Sequence, residues 1–285
     1  MTTAVLPEMR DPDFYQALSL VQYGRCFKGI VWRETLRFLQ QRERFVSALV
    51  RPLVWLFIFA AGFRSVLGVS IIPPYETYVL YEDYITPGLM AMITLFSGMQ
   101  TSLSMVYDRE MGNMRSLLIS PFPRWFLLIC KLIAGTLVAT IQVYAFLLVA
   151  YFWEIEPPSP IGYLSVLPAV LLVGLMLGAL GMLLSSLIKQ LENFAGIMNF
   201  VNFPMFFASS ALYPLWRVKE GSPWLAFICE LNPFTHAVEL IRFAFYEQLN
   251  LLALCVVLSA TLIFLAAAIA AYDPSKGLLQ RREGP

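Results

Sequence analysis

Long apolar runs recur along this chain, each broken by a short polar stretch. Six of them, at about 46–66, 85–107, 126–152, 161–188, 194–214 and 250–272, reach or approach the roughly 20 residues that a helix needs to cross the hydrocarbon core. Backbone groups surrounded by lipid must pair within their own segment, so these runs predict transmembrane helices. They are too continuous for barrel strands, which alternate apolar and polar residues over about ten positions. The first run is interrupted near its start by Arg51 and Pro52. An arginine there can reach toward the headgroups, and a proline in the first turns removes few hydrogen bonds.

The stretches between the runs carry structure of their own. Over 20–44, Phe27, Ile30, Val31 and Phe38 fall on one helical face while Arg33, Arg37 and Arg44 recur on the other. That is the pattern of a helix lying in the membrane interface, and also of one packed on a partner. After the second run, the segment 108–121 holds Gly112, then Met114, Leu117 and Leu118 at helical spacing, then Ser120-Pro121 and Pro123 as stops. It predicts a short amphipathic helix. Between the last two runs, Leu225–Ile228 and Phe234–Phe245 are apolar helical stretches separated by Asn232-Pro233. Each is too short to cross, and a pair of half-helices dipping into one leaflet fits them. Glu239 and Arg242 lie three apart, close enough to pair on one face.

Six spans put both termini on one side, and charge selects the side. With the N-terminus cytoplasmic, fifteen of the 20 lysines and arginines fall on inner segments and four (Arg64, Arg217, Lys219 and Arg242) on outer ones, with Arg51 at the boundary. This satisfies the positive-inside rule. The sequence therefore predicts a cytoplasmic N-terminal segment (1–45), a six-span membrane domain (46–272) and a cytoplasmic tail (273–285) in a plasma or bacterial inner membrane. The polar, arginine-rich first 45 residues predict no secretory leader.

Composition agrees. Over 285 residues, 59% are hydrophobic and only 14% charged, against about 25% charged in soluble domains. The net charge of +1 excludes a basic nucleic-acid-binding domain. Cys26, Cys130, Cys229 and Cys255 are too scattered for a zinc ribbon or dithiol motif. The chain lacks G-x-x-x-x-G-K-[ST] and HExxH, and its single histidine, His236, has no catalytic companion. No acid or base stands deep in a run, which disfavours an ion-coupled carrier or a self-contained channel, and no nucleophile–base pair suggests a membrane enzyme. No catalytic residue, metal site or cofactor is expected in this chain.

Polar character inside the runs is mild. Thr94, Ser97, Thr101 and Ser104 form one stripe of the second; Asn199, Asn202 and Ser209 lie near one face of the fifth, among Phe200, Phe203 and Phe207. Thr136, Thr140 and Tyr144 do likewise in the third. Such groups either bond between helices or line a weakly polar route for an amphipathic solute, for which Thr94, Ser97, Thr101, Asn199 and Asn202 are the candidates. Gly174 and Gly178 form a GxxxG pair in the fourth run, which predicts close helix contact within the chain or between chains.

Together these parts resemble the membrane permease of type-2 ABC exporters, over nearly the whole chain. Two motifs carry the resemblance. Arg109-Glu110-Met111-Gly112 through Ser120-Pro121 is similar to the family's inner coupling helix, with Asn113 and Arg115 departing from its usual residues. Asn232-Pro233-Phe234 with Arg242 is similar to the Asn-Pro segment before the last span. The resemblance implies that Glu110, Gly112, Leu117, Leu118 and Pro121 couple the permease to an ATPase, and that Asn232, Pro233, Glu239 and Arg242 belong to a re-entrant motif. It also implies an ATP-binding ABC subunit on a separate chain holding ATP and magnesium, a second copy of the permease, and export of a drug, lipid or lipid-linked glycan.

Overall fold

The structure is a computed structural model that describes residues 19–40, 42–63, 73–75, 79–110, 122–188 and 191–271. The regular elements among them are helices: α1 (Leu20–Gln40), α2 (Arg42–Phe63), α3 (Tyr81–Glu110), α4 (Arg124–Tyr151), α5 (Gly162–Leu187), α6 (Leu191–Phe207), α7 (Leu215–Gly221), α8 (Pro223–Leu231), α9 (Pro233–Phe245) and α10 (Leu251–Ala271). The expected short helix within 108–121, and the tail from 273, lie outside the described residues; only 108–110 are seen, as the end of α3.

Local chemistry sets the helix ends. At the start of α1, the Ser19 hydroxyl accepts from the Val21 amide at 3.3 Å and the Gln22 carboxamide accepts from the Ser19 amide at 3.0 Å, a reciprocal capping box. Both α8 and α9 begin with a proline at their first position, where no amide is needed, behind Ser222 and Asn232 as caps.

Four helices, α3, α4, α5 and α10, are long and apolar enough to cross a bilayer. α2 and α6 hold shorter apolar stretches, Val46–Ile58 and Gly196–Phe207. Of the six spans expected from the sequence, four correspond to helices long and apolar enough to cross, and the runs at 46–66 and 194–214 give shorter apolar stretches. In α2 the apolar stretch contains Arg51. In α6 the helix stops at Phe207, three residues after Pro204, so the second part of the 194–214 run is irregular. At 17 residues α6 spans roughly 25 Å, short of a hydrocarbon core of about 30 Å.

α3 and α5 form the centre of the bundle. α4 packs on both, α10 covers another side of α5, and α9 wedges against α3, α5 and α10 at one end. α2 and α6 lie against α3, and α1 crosses α4. The α3–α5 crossing is close because of glycine. A Cβ on Gly98 would meet the backbone of Gly178 at 3.1 Å, and one on Gly178 would meet Leu132 at 2.6 Å. The GxxxG pair therefore serves contacts within the chain. α1 shows the amphipathic pattern: Phe38 is buried and Phe27, Ile30 and Val31 partly so, while Arg33 and Arg37 are exposed. Its Tyr23 meets Phe122 and Phe126, at the start of α4, edge-on at 5.1 and 4.8 Å. α1 is therefore anchored on its own bundle.

Candidate functional site

Two clefts open side by side between α1, α2, α3 and α4. One lies between Glu34 and Arg37 of α1, the polar stripe of α3, and Gly135 and Gln142 of α4. The other is walled by Ser47 and Arg51 of α2 and by Met92, Ile93 and Phe96 of α3. They share Ser97, Gln100 and Gln142. The stripe forms because Ser97, Gln100, Thr101 and Ser104 recur at spacings of one and two turns of α3. Thr101 donates to the Ser97 carbonyl at 3.0 Å and Ser104 to the Thr101 carbonyl at 2.6 Å. Their hydroxyl hydrogens are thus engaged within the helix. The absence of a side chain at Gly135 lets α4 approach, since a Cβ there would meet Thr101 at 2.7 Å. The Arg51 guanidinium stands 4.2 Å over the Phe96 ring, a cation–π contact.

A second polar cluster occupies the end of the bundle where α9 meets the start of α3. Arg242, 3% exposed, pairs with Glu239 and donates to the Ser210 carbonyl at 2.8 Å. The Ser210 hydroxyl donates to Glu239 at 2.7 Å, and the Tyr84 hydroxyl donates to the Ser210 carbonyl at 3.0 Å. The guanidinium also lies 4.1 Å over the Tyr84 ring. Tyr81 donates to the Leu212 carbonyl at 2.6 Å. Tyr75 packs edge-on against Tyr246 at 4.9 Å, and burial pushes its hydroxyl up to about 12, so it stays protonated.

Asn232 stitches this end together. Its side-chain oxygen accepts from the Phe234 amide at 3.0 Å, capping α9, while its NH₂ donates to the carbonyls of Met205 at 2.8 Å and Ala208 at 2.7 Å. Those carbonyls lie at the end of α6, where helix geometry supplies no partner. One side chain therefore caps two helices. His236 contacts the Glu230 carbonyl at 3.1 Å, a structural bond across the α8–α9 turn.

The structure brings Ser97 and Thr101 to the cleft and joins Asn232, Pro233, Glu239 and Arg242 at one end of the bundle. It places the other path candidates elsewhere. Thr94 is fully buried and donates to the Ala91 carbonyl at 2.7 Å. Asn199 is exposed on α6, and Asn202 is fully buried with both amide atoms unpartnered. Of the coupling candidates, Glu110 is the last residue of α3; Gly112, Leu117, Leu118 and Pro121 lie outside the described residues. Sequence reasoning missed Gln100, Gln142 and Arg37 as cleft residues. The available signals were Gln100 on the α3 stripe, three positions after Ser97, and Gln142 as the one amide of the 28-residue α4. Among the described residues there is no cluster of metal-ligating side chains.

Comparison with known proteins places this arrangement. The family described as "ABC-2 type transporter" matches residues 25–246. The chain is 28% identical over 216 residues to a protein of Cyanophora paradoxa named as transport permease ycf38, covering 73% of this chain and 71% of the relative. A protein of Porphyra purpurea with the same name is 25% identical over 222 residues, covering 76% and 73%. The Escherichia coli (strain K12) protein YbhR, named as a multidrug ABC transporter permease, is 29% identical over 179 residues, covering 62% of this chain and 47% of the relative.

Proposed function

This chain belongs to the ABC-2 type transporter membrane family, and from that premise we propose that it is the permease of an ATP-driven exporter moving an amphipathic solute out of the cytoplasm or inner leaflet. The observation that carries the reading is the pairing of α3 with α4, the two helices that residues 111–123 join in sequence: they pack on each other and form facing walls of the polar cleft. A force applied to that segment reaches the cleft through two rigid helices.

In this mechanism a separate ABC subunit binds ATP and magnesium and presses on the segment holding Glu110, Gly112, Leu117, Leu118 and Pro121. The end of α3 and the start of α4 shift together, and the cleft containing Ser97 and Thr101 changes its opening. The Asn232–Arg242 region, with α8 and α9 dipping into the outer leaflet, holds the opposite end closed until that shift arrives. The positive-inside distribution supports placing both termini and the ATPase in the cytoplasm. Export of a drug, a lipid or a lipid-linked glycan fits a cleft with one polar and one apolar wall.

A second copy of the permease completes the assembly. Asn199 is exposed on α6 beside Phe200 and Phe203. An amide facing hydrocarbon is unfavourable, and a partner chain along α6 removes it from lipid.

The coupling element is tested in the reconstituted complex of permease and ATPase. Glu110→Ala and Gly112→Val are expected to lower solute-stimulated ATP turnover and transport together, by about tenfold, while basal ATP hydrolysis persists. Stimulation and transport coupled at wild-type levels in both variants would remove this segment from the mechanism.

A further inference from the structure

Where the two clefts meet stand three donor-bearing side chains without a hydrogen-bond partner among the described residues. Gln142 is 2% exposed and lines both clefts. Neither its amide, nor that of Gln100, nor the Ser97 hydroxyl forms a hydrogen bond with any described residue. Their polar atoms are not sealed inside the protein but face the cleft space, where an entering polar group can meet them.

Charge narrows what that is. Arg51 borders one side, with its guanidinium on the Phe96 ring and no carboxylate among the described residues within ion-pair distance. Arg37 borders the other, also without a carboxylate partner among the described residues. The one acid lining the clefts, Glu34, is already held by Arg33 at 2.9 Å. The clefts thus present two guanidinium groups, neither paired with a carboxylate among the described residues, and three donor-bearing side chains. Met92, Ile93 and Phe96 continue from them as an apolar wall.

We propose that these clefts bind an anionic amphiphile, its phosphate or carboxylate headgroup received by Arg51, Arg37, Gln100, Gln142 and Ser97 and its hydrocarbon laid along Met92, Ile93 and Phe96. Arginine suits this role because its fork donates two parallel hydrogen bonds to such a headgroup. The proposal names the solute class for the transport reading above and rests on that reading for its link to export; the binding itself does not.

The test therefore uses the full-length permease alone, in maltoside micelles, by isothermal titration. Dioctanoyl phosphatidylglycerol is compared with dioctanoyl phosphatidylcholine, which has the same chains and no net charge, and with inorganic phosphate. The anionic lipid is expected to bind about tenfold more tightly than the zwitterionic one, and more weakly as salt rises. Arg51→Gln and Arg37→Gln should each weaken it about tenfold, and Gln142→Leu about fivefold, as charged and neutral hydrogen bonds respectively are lost. Arg51→Lys should recover part of the loss. Should Arg51→Gln fail to fold, Gln142→Leu and Arg51→Lys report on the same site. Equal affinity for the two lipids, or wild-type affinity in the folded variants, overturns the proposal. Displacement of the lipid by equimolar phosphate also overturns it, because the site would then take a free anion. Wild-type coupling in the Glu110 and Gly112 variants, with lipid binding intact, would count against the exporter mechanism alone.

Discussion

The two ends of this bundle treat polar groups in opposite ways. Where α9 meets α3, most buried donors have partners: Arg242 with Glu239 and Ser210, Tyr84 with Ser210, Tyr81 with Leu212, Asn232 with three backbone groups, while the Tyr75 hydroxyl and the Arg242 Nε have none among the described residues. In the clefts between α1, α2, α3 and α4, Ser97, Gln100 and Gln142 have none among the described residues, and Arg51 has only an aromatic face. Satisfied polar groups hold helices in register. Those left open along a cleft are available to a visitor. The difference separates a latch from a binding surface, although both are polar regions of one lipid-embedded chain.

The comparison breaks most readily at Arg242. Arg242→Ala leaves Glu239 without its cation and opens a hole under Tyr84. Removing one partner of a buried pair costs about 3–5 kcal/mol. The expected outcome is a fall in the melting temperature of the purified permease on the order of 10 °C. A fall of only a degree or two would mean that the cluster is solvated and does not act as a latch. Asn232→Ala comes next. It removes the cap of α9 and two bonds to the end of α6, an expected loss of about 2 kcal/mol, read in the same melting experiment. Asn232→Asp keeps the α9 cap but turns a carboxylate oxygen toward the Met205 and Ala208 carbonyls, so it should destabilise at least as much as the alanine.

The latch was more legible in the sequence than the cleft, for a physical reason. Glu239 and Arg242 are three apart on one helix, and Asn232-Pro233 is a helix-start signal readable from local rules. The apolar runs likewise marked the long helices, because a period shared by 20 residues is hard to miss. The cleft draws on four helices. Arg37 read as the solvent side of an interfacial helix, and only the packing of α1 across α4 turns it toward Gln142. Thr94 and Ser97 share a stripe, yet the first turns its hydroxyl to its own backbone and only the second meets the cleft. Helical periodicity gives a face of one helix. It does not say which other helix that face will meet.

Asn202 sharpens the comparison from the opposite direction. It is fully buried, with both amide atoms unpartnered, and borders neither cleft. Asn202→Leu is nearly isosteric and removes the penalty, so the melting temperature should rise, by the equivalent of about 1–2 kcal/mol. A fall would show that the amide is met by an ordered water or a bound group.

Gln142→Leu is the smallest and most telling change. Its amide is almost as deeply buried as that of Asn202, but it borders both clefts, where water reaches it in the empty state and relieves part of the penalty. Its replacement should therefore stabilise the permease by no more than about 1 kcal/mol, or roughly 2–4 °C. Transport by the reconstituted complex should fall at the same time, because the substituted side chain no longer offers a hydrogen bond to the solute. Stability and activity moving in opposite directions is the mark of a group retained for function. A Gln142→Leu permease that melts lower and still transports at the wild-type rate would instead place this amide with the latch, as a structural residue.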